Sequence, residues 1–115
     1  MAVIPFVKEE AEGGCYRYTW TGAVNGDTFE PAPLYARADA TVQLTGTIGG
    51  ATLTIEASLE KTPTNFFPAQ DVVGNNISLA ANGGEAISTG VVAALKPVLT
   101  GGASSTVNVI LLARK

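Results

Sequence analysis

The stretch Thr41–Ser58, TVQLTGTIGGATLTIEAS, decides the fold class, because apolar and polar residues alternate on both sides of Gly49-Gly50. Alternation with a period of two is typical of a β-strand that buries one face. With the two glycines as a hairpin loop, the apolar residues share one face, where Leu44 lies opposite Ile55, and the threonines share the other. We therefore predict an antiparallel hairpin with one buried and one solvated face.

A second hairpin is predicted around Asn25-Gly26, a dipeptide typical of type I′ turns. The strand before it alternates aromatic and polar residues, which places three aromatic side chains on one face. Pairing across the turn sets Trp20 opposite Pro31, Tyr18 opposite Pro33 and Tyr16 opposite Tyr35. Because proline donates no ladder hydrogen bond, we predict that Glu30–Leu34 is an edge strand or an extended segment.

A third hairpin is predicted from the runs Val91–Thr100 and Thr106–Ala113, which are joined by a loop of glycines, alanine and serines. If the two runs pair from their loop ends, one face of the pair is entirely apolar. Ile110 and Leu112 lie on the opposite face. The end of this strand is therefore either buried on both sides or part of an interface.

The whole chain reads as seven or eight short strands with Gly- or Asn-rich turns about every 8–12 residues. The predicted fold class is all-β, an antiparallel and jelly-roll-like β-sandwich with an extended N-terminal arm. A chain of 115 residues fits one domain. We predict that residues 1–14 form the arm and residues 15–115 form a single β-sandwich domain.

The arm is apolar where it begins, and we predict that it grips a neighbouring subunit. A frayed terminus is the alternative, which the apolar run disfavours because disordered tails are usually poorer in such residues. Together with the two-faced C-terminal strand, the arm gives the candidate interface residues, which are Val3, Ile4, Phe6, Val7, Ile110 and Leu112.

Charge is sparse, with 15% charged residues against about 25% in typical soluble domains. This composition indicates that a partner covers part of the surface. The net charge is −3 and the seven lysines and arginines are scattered, which argues against nucleic acid as a partner. No run approaches the ~20 apolar residues that span a bilayer, and the first residues lack a signal-peptide core. We expect neither a membrane partner nor export.

The chain has one cysteine and no histidine. Zinc, copper and iron sites of the usual kinds, and nucleophiles activated by histidine, therefore cannot be assembled. We expect Cys15 to be a small buried hydrophobe in a protein made in a reducing cytoplasm. Asn25, Asp27 and Glu30 could supply calcium ligands, but the Asn25-Gly26 turn explains these residues without an ion. We predict no metal, no cofactor and no enzymatic activity.

The aromatic residues Tyr16, Tyr18 and Trp20 share one face of a strand, an arrangement that carbohydrate-binding sandwich domains use to stack sugars. Aromatic residues make up 7% of the chain, and its only tryptophan fits a core equally well. We favour the core. A carbohydrate-binding β-sandwich module is kept as an alternative function.

Four segments in this order resemble a family of small structural proteins of tailed bacteriophages. They are Trp20 with Asn25–Phe29, Thr41–Ser58, Gly74–Ser78 and Lys96–Lys115, the last reading KPVLTGGASSTVNVILLARK. The likeness runs from about Tyr16 to the end of the sequence. The chain departs from the family pattern in the loop Leu59–Phe66 and in having Lys96, rather than arginine, before Pro97.

The resemblance implies a virion component, most economically a capsid decoration or cement protein on the surface of the head. It implies the major capsid protein as partner, self-association as a homotrimer, and synthesis in the host cytoplasm. Sparse charge and an apolar arm suit a shell-bound domain that associates with itself. A tail or baseplate component of the virion is the alternative within the same family.

Overall fold

The computed structural model describes residues 2–11, 13–34, 40–88 and 92–114, and no helix occurs within these ranges. The described residues form β-strands joined by turns. In chain order the strands are β1 (Val3–Ile4), β2 (Val7–Ala11), β3 (Cys15–Val24), β4 (Thr28–Phe29), β5 (Ala32–Pro33), β6 (Ala40–Thr47), β7 (Thr52–Ser58), β8 (Phe67–Pro68), β9 (Ser78–Leu79), β10 (Gly83–Ile87), β11 (Ala94–Thr100) and β12 (Thr106–Arg114).

Two antiparallel sheets enclose the core. Sheet I has the strand order β10-β6-β12-β3-β2, and sheet II has the order β5-β11-β7-β8, with β9 also paired to β7. The short strands β1 and β4 form a separate parallel pair. Inward side chains of both sheets form one apolar cluster, in which Tyr18, Trp20, Leu44, Leu53 and Val109 are fully buried. The predicted all-β antiparallel sandwich is confirmed.

The strands on either side of Gly49-Gly50 do not pair with each other, which corrects the first predicted hairpin. β6 pairs with β10 and β12 in sheet I, whereas β7 pairs with β8, β9 and β11 in sheet II. The turn itself is present, because the amide of Ala51 donates to the carbonyl of Ile48 at 3.0 Å. The chain therefore crosses between the sheets here. Apolar and polar residues alternate in a hairpin and in a crossing between sheets alike, because in both cases one face of each strand packs on apolar side chains of the core.

The other two predicted hairpins are corrected in the same way. β3 pairs with β12 and β2, and the proline-containing segment after Asn25-Gly26 contributes β5 to sheet II. β11 and β12 also lie in different sheets, so that Thr106 at the start of β12 aligns with Thr47 of β6. Tyr35 and Val91, which belong to these predicted pairs, lie outside the described residues.

Tyr18 and Trp20 nevertheless approach the segment that was predicted to lie opposite them, through their side chains. The Trp20 indole nitrogen donates to the Glu30 carbonyl at 3.0 Å, and the Tyr18 hydroxyl donates to the Pro33 carbonyl at 2.6 Å. Because both aromatic side chains are fully buried, these bonds satisfy polar groups inside the sandwich. Of the predicted ladder pairs, Tyr18 and Pro33 are thus in contact across the core, whereas Trp20 bonds Glu30 instead of Pro31.

A β-bulge in β3 keeps its inward side apolar along ten residues. Val107 aligns with Ala23 but Val109 aligns with Trp20, so β3 has one extra residue opposite β12 at this point. Gly22 has φ +74° within the bulge, and its amide donates to the Asn108 side chain at 2.9 Å. The extra residue allows Trp20 and Ala23, three positions apart, to point into the core.

The N-terminal segment is extended, as predicted, but it is part of the sandwich rather than a separate arm. Over the described residues 2–11, β1 pairs with β4 and β2 forms an edge of sheet I beside β3. The segment therefore contacts its own chain along most of its length. The contact of residues 1–14 with a neighbouring subunit, and the division into this arm and a single domain of residues 15–115, stay predictions.

Two carboxylates hold this segment in place. Asp27 accepts hydrogen bonds from the amides of Val24 and Ala2, both at 3.0 Å, and these bonds lower the pKa of its carboxyl group. Glu30 accepts a bond from the Phe6 amide at 3.1 Å. Two of the three residues weighed as calcium ligands, Asp27 and Glu30, therefore accept hydrogen bonds from backbone amides of the N-terminal segment and of the end of β3.

Candidate interaction surface

The outer face of sheet I carries two complete cross-strand rows, with one residue from each of five strands. The first row is Ala86, Thr41, Leu112, Arg17 and Glu9, and the second is Gly84, Gln43, Ile110, Thr19 and Val7. Charges on these rows lie toward β2, where Arg17 and Glu9 form an ion pair at 3.0 Å. The described outward positions of β6, β10 and β12 before Arg114 are uncharged.

The rows bring together three of the six predicted interface residues. Val7, Ile110 and Leu112 lie on this face, with Val7 67% and Leu112 38% exposed. Val3 is also exposed, but it lies on β1 outside sheet I. An interface at these residues stays a prediction.

Ile4 and Phe6 are corrected, because both pack against the core instead of facing a partner. The Phe6 ring makes edge-to-face contacts with Tyr18 and Trp20, at centroid distances of 5.4 and 6.3 Å. Apolar residues of the N-terminal segment therefore divide into two groups: Ile4 and Phe6 pack on the core, and Val3 and Val7 are exposed.

The predicted sugar-stacking face is not available for a ligand. Tyr18 and Trp20 are fully buried on the inward side of β3. Tyr16 is half-buried, and the Lys8 ammonium lies 4.2 Å from the centre of its ring. The alternative prediction of a sugar-stacking face is therefore wrong, because sheet II and Phe6 cover Tyr18 and Trp20.

Two exposed apolar residues that the sequence analysis missed are Val72 and Val73, which are 72% and 79% exposed. They form the tip of a turn held by Asp71. The Asp71 carboxylate accepts hydrogen bonds from the amides of Asn75 and Val73, at 3.0 and 2.9 Å, and these bonds lower its pKa. The Asp-Val-Val-Gly tetrapeptide, a turn with an apolar tip, was the available signal.

The turn lies beside the outer face of sheet I and forms a groove with it. The groove encloses about 300 Å³ and is lined in part by Cys15, Val72, Ala86, Leu112 and Arg114. Cys15 is half-buried, which corrects its expected full burial. Val72 thus lines one groove with Ala86 of β10 and Leu112 of β12, and Thr41 of β6 lies between those two strands.

Within the described ranges, no group of three or more cysteine, aspartate or glutamate side chains is placed to hold a metal ion. The same residues include no helix that is long and apolar enough to cross a membrane.

No protein-family model matches this sequence, and no curated protein sequence matches it either. The structure does match solved structures. One is the SPBc2 prophage-derived protein YomS, with a TM-score of 0.62 and 10% identity, covering 91% of this chain and 98% of that protein. This chain has the fold of a prophage-derived protein along nearly all of its length.

Proteins of the cupin type also match. A cupin domain from Bordetella pertussis Tohama I has a TM-score of 0.47 and 12% identity over 96% of this chain and 92% of its own. Hydroxypropylphosphonic acid epoxidase from S. wedmorenis has a TM-score of 0.46 and 5% identity over 96% of this chain and 50% of its own. Because an enzyme is among the matches, the prediction that the chain is not an enzyme is corrected. These likenesses concern the fold alone.

Proposed function

We propose that the protein is a bacteriophage capsid decoration protein, which binds the assembled head shell and stabilises it. The observation that carries the proposal is the fold shared with a prophage-derived protein over 91% of this chain and 98% of that protein. The ordered series of sequence segments from Trp20 to Lys115, similar to small structural proteins of tailed phages, supports the same role.

The surface is suited to such a role. Leu112 of β12 and Val72 of the Asp71 turn are exposed and line the same groove, and exposed apolar side chains that lie together mark an interaction site. Sparse charge allows extensive contact at low desolvation cost. Many copies that each bind weakly can stabilise a shell through multivalency. We propose the major capsid protein as the partner and a homotrimer as the bound form.

The test uses the phage or prophage that encodes the chain. Its particles are purified, and the amount of this protein relative to the major shell protein is measured by quantitative mass spectrometry. A decoration protein is expected at a copy number comparable with that of the shell protein. Absence from purified particles would overturn the proposal.

A deletion strain tests the stabilising role. Particles without the protein should assemble but release their DNA at a lower temperature, and adding the purified protein should restore the wild-type release temperature. A few copies per particle, with no change in head stability, would instead identify a tail or baseplate component. The copy number therefore distinguishes the two virion locations.

A further inference from the structure

Strand β10 leaves an open edge on sheet I. A Cβ atom on Gly84 would lie 3.2 Å from the carbonyl oxygen of Val42, so this carbonyl points from β6 toward β10. The amide of Ser88, directly after β10, points the other way and donates to the carbonyl of Gln70 at 2.8 Å. Because successive backbone groups of an antiparallel strand point to alternate sides, the N–H and C=O groups of Gly84 and Ala86 point away from β6.

These four backbone groups are accessible to a partner. Gly84 and Ala86 are exposed, and within the described ranges no backbone hydrogen bond joins them to a segment outside the sheet. An edge of this kind is a template for another strand. The opposite edge of sheet I, β2, carries the charged run Lys8, Glu9 and Glu10, and charged edges disfavour strand addition. β10 is therefore the better site on this sheet.

A groove lies between this edge and the Asp71 turn, and we call it the β10 groove. It encloses about 440 Å³, with Gly84–Ala86 on one side and Asp71, Val72 and Val73 on the other. An extended polypeptide fits such a groove, because its backbone can bond the strand edge while alternate side chains contact the valines. Gly84 has no side chain on the outer face of the sheet, which allows another backbone to approach closely.

The charge of the groove indicates which partner it fits. Asp71 and Glu85 line it, and among the described residues that line it none is lysine or arginine. A second copy paired edge to edge would bring another Asp71 and Glu85 to the same place, and two copies of net charge −3 also repel each other. An extended segment with a basic side chain is complementary to the groove, whereas β10 of a second copy is not.

We propose that the β10 groove binds an extended segment of the major capsid protein by strand addition, with a lysine or arginine of that segment beside Glu85. The choice of this partner rests on the proposed function. Only two residues of β10 offer backbone groups to the added strand, so each contact is small. Many such contacts around a shell act together through multivalency.

The test measures binding of purified protein to particles of the deletion strain by co-sedimentation over a concentration series. Ala86→Pro removes one N–H group from the open edge but keeps the ladder to β6, and should weaken binding at least about tenfold. Ala86→Ser is the matched control, because it keeps this N–H group, and should bind within about twofold of wild type. Circular dichroism confirms that each variant is folded.

A charge variant tests the basic side chain of the segment. Asp71 makes a side-chain hydrogen bond with Glu85, and a glutamine amide can still donate to the Asp71 carboxylate. Glu85→Gln therefore removes one charge with little change in the groove. It should weaken binding several-fold and make binding less sensitive to salt. If Ala86→Pro does not fold, this variant and the exchange measurement below decide the result.

Hydrogen–deuterium exchange with mass spectrometry gives a second readout, in which the peptide that contains β10 should exchange more slowly on particles than in free protein. Unchanged exchange there, or equal particle binding by wild type and either Ala86→Pro or Glu85→Gln, would overturn the inference and leave the decoration role intact. Self-association that Ala86→Pro abolishes would make a second copy the occupant, which also overturns it. Wild-type protein that does not bind particles would overturn the proposed function, and this inference with it.

Discussion

Gly102 lies so close to Ala51 that a Cβ atom on the glycine would be 2.6 Å from the Ala51 Cβ. The loop between β11 and β12 is thereby stacked on the turn between β6 and β7. Each of these connections carries the chain from one sheet to the other, so two crossings lie side by side. The glycine is needed for this close approach as well as for its backbone angle, φ +70°.

We predict that Gly102→Ala lowers the free energy of unfolding by about 2 kcal/mol or more. A left-handed φ is unfavourable for alanine, and the backbone of Ala51 must also move. Urea unfolding followed by circular dichroism measures the change.

Two control variants separate these causes. Gly50 has φ +85°, but a Cβ atom added there would meet no atom within 4 Å, so Gly50→Ala should lower the free energy of unfolding by only about 1 kcal/mol. Gly83→Ala has neither feature and should stay within about 0.5 kcal/mol of wild type. Equal losses for Gly102→Ala and Gly50→Ala would contradict the close packing of the two crossings.

Phe6→Ala should destabilise the protein by about 2 kcal/mol, because the ring packs edge-to-face on Tyr18 and Trp20. The adjacent Val7 is 67% exposed, so Val7→Ala should change stability by less than about 0.5 kcal/mol. Thermal unfolding of the two variants compares them directly. An unchanged melting temperature for Phe6→Ala would mean that the N-terminal segment is not part of the folded core.

Sequence pattern identified which side of each strand is buried, but not which strand lies beside it. Leu44 and Ile55 point inward whether their strands form a hairpin or face each other across the core. The turn at Gly49-Gly50 is compatible with a hairpin and with a crossing between the sheets. The choice depends on distant segments, because β12 lies between β3 and β6 and supplies the ladder partners that the hairpins would have used.

The candidate surface was predictable where one strand had apolar residues on both faces, as for Ile110 and Leu112. The same reasoning failed for Phe6, because the pattern does not reveal that the segment between β1 and β2 packs over Trp20. Val72 and Val73 were missed because short apolar runs usually indicate strands. Their exposure follows from the Asp71 hydrogen bonds, which hold the run in a turn.

Two buried serines should respond differently to alanine. Ser58 is fully buried and its hydroxyl accepts a bond from the Glu60 amide at 3.2 Å, so Ser58→Ala should cost about 1–2 kcal/mol. The Ser105 hydroxyl is buried without a hydrogen-bond partner among the described residues. Ser105→Ala should therefore be neutral or stabilising by up to about 1 kcal/mol. Chemical denaturation measures both, and comparable destabilisation would contradict the assigned bonding.

The loop after β7 should weaken in acid, because it is organised around the Glu60 carboxylate. Glu60 accepts hydrogen bonds from the amides of Asn65 and Thr64 at 2.7 and 2.9 Å, and from the Asn65 side chain at 3.1 Å. The Asn65 amide makes the largest contribution in lowering the pKa of Glu60 from 4.5 to about 2.

A carboxyl group whose pKa is lower in the folded state contributes stability that is complete above its unfolded pKa, here 4.5, and is lost as the pH falls toward 2. The melting temperature of Glu60→Gln should therefore lie below that of wild type at neutral pH, and the difference should narrow between pH 4.5 and 2. The amide chemical shifts of Thr64 and Asn65 report the protonation of the Glu60 carboxylate, because both amides donate to it. Their titration midpoint should lie near 2, and a midpoint near 4.5 would show that the carboxylate does not organise this loop.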